Sequence, residues 1–133
     1  MIAVTATDAQ NQLLAAANRG PHIALAAPGV DILVPSPGQT YALSTGTSVA
    51  AAHVSGVVAL LLELRPELTP DRVRQILRST CLDLGPKGRD KPFGHCLADA
   101  QRAVQSLGPS AALREPAALF SERWPATLRP SRE

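Results

Sequence analysis

The segment from Ser48 to Leu64 sets the tightest limit on the fold. Small residues (Ala50, Ala51, Ala52, Ser55, Gly56, Ala59) are interleaved with Val49, Val54, Val57, Val58 and Leu60 to Leu62. Apolar side chains therefore occupy nearly every face of a helix until Glu63 and Arg65, and Pro66 bounds it. A helix apolar all round needs cover all round, so it belongs at the centre of a layered fold. The preceding residues read as short strands: Ile2–Ala6, Ile23–Ala27 and Ile32–Val34, with Tyr41–Ser44 as one more. Turn residues close the first three, at Asp8–Asn11, Pro28-Gly29 and Pro35-Ser36-Pro37-Gly38. Strands punctuated by Gly and Pro ahead of a buried helix indicate an α/β class. Downstream, Thr69-Pro70-Asp71 is an N-cap, a first-position proline and a helix-start acid. They open an amphipathic surface helix with Val73, Ile76 and Leu77 on its inner face and Arg72, Arg74, Gln75 and Arg78 on its solvated one. A third helix is expected over Asp99–Leu107, with Gly108 in the stop position.

Composition narrows the function classes. At 133 residues and 45% hydrophobic content, the chain can build one domain with a real core. Thirteen Lys and Arg are scattered and nearly balanced by eleven Asp and Glu, and only 3% of residues are aromatic. Neither a basic groove nor a base-stacking platform is indicated, so nucleic acid is not an expected partner. The start, MIAVTATDAQ, has no basic stretch followed by an apolar one, so no secretory signal is visible and localisation stays open. The most apolar run, Val54–Leu62, is shorter than the ~20 residues of a membrane span, and no membrane partner is expected. Cys81 and Cys96 fit either one bridge or two free core thiols, and no Cys/His spacing suggests zinc.

Ser48 stands where TGTS gives way to the helix. First-turn N–H groups lack partners within a helix and attract negative charge. A serine hydroxyl there can attack a carbonyl while its own N–H holds the oxyanion that forms. Gly46 permits a tight turn and leaves room for a substrate backbone, and Thr47 can stiffen that turn. On pattern alone, the better reading is that Ser48 is an ordinary N-cap, Ser being among the commonest, and His53 a core histidine satisfied by a hydrogen bond. Ala50 stands where a G-x-S-x-G elbow needs its second glycine.

The run Gly46-Thr47-Ser48-Val49-Ala50-Ala51-Ala52-His53-Val54-Ser55-Gly56 resembles the nucleophile motif of the subtilisin-like serine peptidases, G-T-S-[MV]-A-x-P-H-V-[AS]-G. Ile2-Ala3-Val4-Thr5-Ala6-Thr7-Asp8 is similar to that family's V-I-A-V-G-A-x-D strand. Asn18-Arg19-Gly20-Pro21 with Ala26-Ala27-Pro28-Gly29-Val30-Asp31-Ile32 resembles its S-N-x-G…[AM]-A-P-G-x-x-I segment. Phe93-Gly94-His95-Cys96-Leu97-Ala98-Asp99-Ala100 resembles its [YF]-G-x-G-x-[IVL]-[ND]-[AV]. The four blocks are co-linear, which favours a nucleophile over an N-cap at Ser48. Ala52 replaces the motif's proline, Cys96 a glycine, and Ala15-Ala16-Ala17 stand where an aromatic and a serine are usual.

The resemblance implies a partial subtilisin-like three-layer α/β fold over residues 1–107, followed by a Pro-rich tail at 108–133. It implies peptide-bond hydrolysis of a peptide or protein substrate through an acyl-enzyme on Ser48. Thr47 supports the oxyanion, Ser44, Thr45 and Gly46 border the leaving-group side, and His53 and Gly56 are structural residues of the central helix. The family's triad aspartate, triad histidine and oxyanion asparagine correspond to sequence ahead of Ile2, so the expectation is an incomplete, isolated-inactive catalytic domain. An N-terminal half-domain, or self-association, is the expected partner. The alternative is a non-catalytic remnant or interaction module. No cofactor is needed for the chemistry, and no carboxylate cluster here offers a site for the structural calcium common in the family.

Overall fold

The computed structural model of the chain describes residues 1–108. The Pro-rich segment expected at 108–133 lies, beyond its first residue, outside the described residues. Strands β1 (Val4–Thr7), β2 (Leu25–Pro28), β3 (Ile32–Ser36) and β4 (Thr40–Ser44) precede helices α1 (Thr47–Leu64), α2 (Pro70–Thr80) and α3 (Ala100–Gln105). The architecture is α/β, with short strands, a central helix and two further helices.

β1 and β2 are parallel, in register from Val4↔Leu25 to Thr7↔Pro28. Asp8 ends β1 because its Oδ1 accepts the N–H groups of Gln10 (2.9 Å) and Gln12 (2.8 Å), and Asn11 takes a left-handed φ of 61°. The far edge of β2 carries an extended segment that periodicity does not reveal. Ala26 N–H donates to Cys96 O (2.9 Å), Ala98 N–H to Ala26 O (2.9 Å) and His95 N–H to Ala24 O (2.9 Å). β3 and β4 form a separate antiparallel hairpin, Ile32↔Ser44 to Ser36↔Thr40. Its strand continues through Pro35, a residue a hairpin tolerates where no N–H is required of it. Gly38 (φ 81°) and Gln39 (φ 58°) make the turn.

α1 packs on β1 and β2, α3 on α1, and α2 on α3. The expected all-round burial of α1 is not what the structure shows. Ala50, Val54, Val57 and Leu61 are buried in a single stripe, whereas Leu60 is 51% and Leu62 37% exposed. The described elements cover one side of the helix and nothing described covers the other. At 18 residues α1 is also longer than the apolar run read from sequence, and would pass for a membrane span by length and composition alone. Its packing on the sheet makes it the core helix of this fold.

α2 follows its cap signals: Thr69 Oγ1 accepts Arg72 N–H (3.3 Å), and Val73, Ile76 and Leu77 are buried. α3 is capped by Asp99 Oδ1, which accepts Arg102 N–H (2.9 Å), and Gly108 has the left-handed φ of 74° that a helix stop uses. Cys81 and Cys96 form a disulfide with Cα atoms 5.6 Å apart, joining the end of α2 to the segment beside β2.

Candidate active site around Ser48

The hinge between β4 and α1 is built from backbone. Gly46 N–H donates to Gly29 O (2.8 Å), and Gly46 O accepts from Val49 N–H (3.1 Å) and Ala50 N–H (3.3 Å). Gly29 N–H in turn donates to Thr7 O (2.9 Å), so the ladder of the parallel sheet continues into the turn. Side chains are excluded here. A Cβ on Gly29 would lie 2.7 Å from Gly46 O, 2.8 Å from Ala6 Cβ and 3.0 Å from Ala50 Cβ. Asp31, in a left-handed conformation at φ 53°, braces the hairpin base: its N–H donates to Thr45 Oγ1 (2.9 Å), which donates to Asp31 Oδ1 (3.3 Å).

Ser48 is the second residue of α1 and is exposed. The cap position belongs to Gly46, with no side-chain cap bond, so Ser48 is not the N-cap that its residue type allows. Its hydroxyl makes no hydrogen bond among the described residues. The N–H groups of Thr47 and Ser48 likewise have no acceptor there. The first turn contains no acidic side chain to occupy them. A Cβ on Gly46 would sit 3.2 Å from Ser48 Oγ, so glycine at this position keeps the approach to the hydroxyl open. At a positive helix end, N–H groups without acceptors can hold the negative charge of an oxyanion, and the exposed hydroxyl beside them is open to activation by a base.

The other expected site residues fall around this turn or away from it. Ser44 is half-buried at the end of β4, and Thr45 and Thr47 are exposed on either side of Gly46. His53 is exposed, with Nδ1 donating to Val49 O (3.2 Å) one turn back in its own helix. Gly56 lies on the open face of α1, where an added Cβ would meet nothing within 4 Å. His22 packs beside Gly20. His95 is held below the ordinary histidine pKa by burial, then by the charges of Arg78 and Arg89, which favour its neutral form. Among the described residues no hydrogen bond links a histidine to Ser48, and no carboxylate orients a histidine ring. Among the described residues no three His, Cys, Asp or Glu side chains gather. Sequence reading passed over Gly29 and Asp31 as parts of the site. Their signal is the A-P-G-x-x-I block itself, which places them next to a glycine-led turn.

A family model described as the subtilase family matches residues 1–96. The minor extracellular protease Epr of Bacillus subtilis (strain 168) is 34% identical over 128 residues, covering 96% of this chain and 20% of that protein. Subtilisin E of the same organism is 38% identical over 104 residues, covering 78% of this chain and 26% of that protein. The crystal structure of fervidolysin from Fervidobacterium pennivorans, described as a keratinolytic enzyme related to subtilisin, superposes with a TM-score of 0.74 at 31% identity. It covers 83% of this chain and 19% of fervidolysin. The chain thus spans about a fifth to a quarter of the length of these relatives.

Proposed function

Because this chain belongs to the subtilase family, we propose that it supplies the nucleophile and one oxyanion donor of a serine endopeptidase site. The base, its orienting carboxylate and the second oxyanion donor then come from polypeptide other than these 133 residues. The observation that carries this reading is the exposed Ser48 hydroxyl at the start of α1, beside N–H groups without acceptors. Ser48 Oγ attacks the scissile carbonyl carbon as its proton passes to the base. The carbonyl oxygen becomes an oxyanion held by Ser48 N–H and by the second donor of the other polypeptide, with the Thr47 hydroxyl in the same turn supporting it. Collapse expels the amine, which takes the proton from the base, past Ser44, Thr45 and Gly46. Water, deprotonated by the same base, then releases the acid from the ester on Ser48.

A serine without its base is a weak nucleophile at neutral pH. The isolated chain is therefore expected neither to cleave unstructured peptides nor to label with a serine-directed fluorophosphonate. Adding a segment that carries the family's Asp, His and Asn should bring labelling up by on the order of ten-thousandfold, and Ser48→Ala should abolish it. Labelling of the isolated chain at Ser48 would place the base within these residues and overturn the assignment. The uncovered face of α1 favours a second reading, a half-domain whose task is association. A stable complex with that segment and no labelling would make this the better one.

A further inference from the structure

A left-handed backbone at a residue other than glycine calls for an explanation, and three such residues occur among those described: Asn11, Asp31 and Gln39. Asn11 and Gln39 lie in turns, one closing β1 and the other joining β3 to β4. Asp31 (φ 53°) instead lies in the link between β2 and β3, and its partner is 14 residues away. Its N–H donates to Thr45 Oγ1 (2.9 Å), and that hydroxyl donates in turn to Asp31 Oδ1 (3.3 Å). One residue therefore uses the Thr45 hydroxyl both as acceptor and as donor. Between His22 and Leu62, Asp31 is the only Asp, Glu, Lys or Arg, and it joins neither ion pair of the described residues. Its carboxylate belongs to no charge network, and what it touches is Thr45. Backbone strain persists only where its surroundings over-determine it, and it collects at functional sites.

The pair stands in the middle of a series of fastenings. Ile32 is in register with Ser44, Asp31 is bonded to Thr45, and Gly29 O accepts Gly46 N–H (2.8 Å). Each fastening lies closer to Ser48 along the chain than the one before. Without the Thr45 hydroxyl, one hydrogen bond alone, from Gly46 to Gly29, would remain between the residues entering α1 and the link that carries Asp31. Ser48 follows Thr45 within the same turn, so a shift of that link displaces both the hydroxyl and the N–H on which the site depends. Misplacement of a reacting group by about 1 Å is enough to cost a large factor in rate. We propose that Asp31 is a positioning residue of the nucleophile turn. Through the Thr45 hydroxyl it sets where Gly46, Thr47 and Ser48 stand relative to Gly29, so that Ser48 meets a base supplied by other polypeptide. This deepens the reading of Ser48 as the nucleophile and rests on it.

The test compares Thr45→Val, which keeps the side chain's shape but removes the hydroxyl, with Thr45→Ser, which keeps the hydroxyl. Asp31→Ala, which loses the carboxylate and is strained at a positive φ, is compared with Asp31→Asn, which tolerates that φ and still offers an acceptor. In the 133-residue chain, amide exchange followed by NMR should quicken about fivefold at Gly46 in Thr45→Val and Asp31→Ala. It should stay within about twofold of the parent at Ala26, and at Gly46 in Thr45→Ser and Asp31→Asn. With the segment bearing the family's Asp, His and Asn added, Ser48 labelling should slow roughly tenfold in the first pair and be retained in the conservative pair. Exchange quickened equally at Ala26 and Gly46 would mean a general loss of stability and would overturn the proposal. Unchanged exchange at Gly46, or variants that label as fast as a parent that labels, would overturn it as well. Exchange is read without turnover, so its failure is separable from that of Ser48. If the parent fails to label while Gly46 responds as expected, the nucleophile reading falls and the Asp31–Thr45 pair still sets the turn.

Discussion

At the residue scale, two glycines that look interchangeable in the sequence have different tasks. An alanine at Gly29 would press against a backbone oxygen and two Cβ atoms at 3.0 Å or less, none of which can swing away. Gly29→Ala should therefore cost about 1–3 kcal/mol of stability, seen as a lower unfolding midpoint. At Gly46 the group in the way is Ser48 Oγ, 3.2 Å off, the end of a side chain that can rotate. Gly46→Ala should leave the midpoint within about 0.5 kcal/mol of the parent yet reduce Ser48 labelling in the completed domain at least tenfold. Equal midpoints for the two variants would contradict this division of labour. Ser48 was legible because its motif is contiguous. Gly29 and the Asp31–Thr45 brace were not, because their reasons are contacts across 14 to 23 residues of chain that exist only once the turn is folded.

Elements whose causes are local were the ones legible in the sequence. Thr69, Pro70 and Asp71 announce α2 within three residues, and the Pro37-Gly38 turn separates β3 from β4. The extended segment at 95–98 shows no alternation to read. It exists because β2 has a free edge and because the disulfide ties Cys96, 2% exposed, to Cys81 at the end of α2. Sequence left the two cysteines undecided, since a separation of 15 residues suits a bridge or two free thiols equally. Closing a loop of that size restricts the unfolded chain by about 3 kcal/mol. The double variant Cys81→Ser/Cys96→Ala should therefore unfold at a clearly lower temperature. A reductant should lower the parent's midpoint towards that of the variant and leave the variant unchanged. A midpoint insensitive to both would show that β2 and α3 hold the segment without the bridge.

On the scale of the whole molecule, the same pattern that made α1 readable as a core helix also misled about its burial. Helix formation is settled within the segment, whereas cover on every face is a property of the whole domain. The described residues bury one stripe and leave Leu60 exposed on one side of it and Leu62 on the other, where Leu62 and the exposed Met1 line a groove with Ile2, Val58, Leu68 and Val73. A second groove, between β1 and α1, is lined by Ile2, Val4, Ala51, Ser55 and Val58. Continuous apolar surface of this kind is stabilised by removal from water at about 25 cal/mol per Å², whichever surface removes it. The isolated chain should therefore associate with itself as its concentration rises, measurable as a mass increase in sedimentation equilibrium. Leu62→Lys should shift that equilibrium towards monomer without reducing helical content, because Leu62 lies off the buried stripe. A segment bearing the family's Asp, His and Asn competes for the same surface and should convert the self-associated chain into a one-to-one complex. A parent chain that stays monomeric at high concentration and binds no apolar dye would show that the open face of α1 is stable in water as it stands, and the half-domain reading would lose its support.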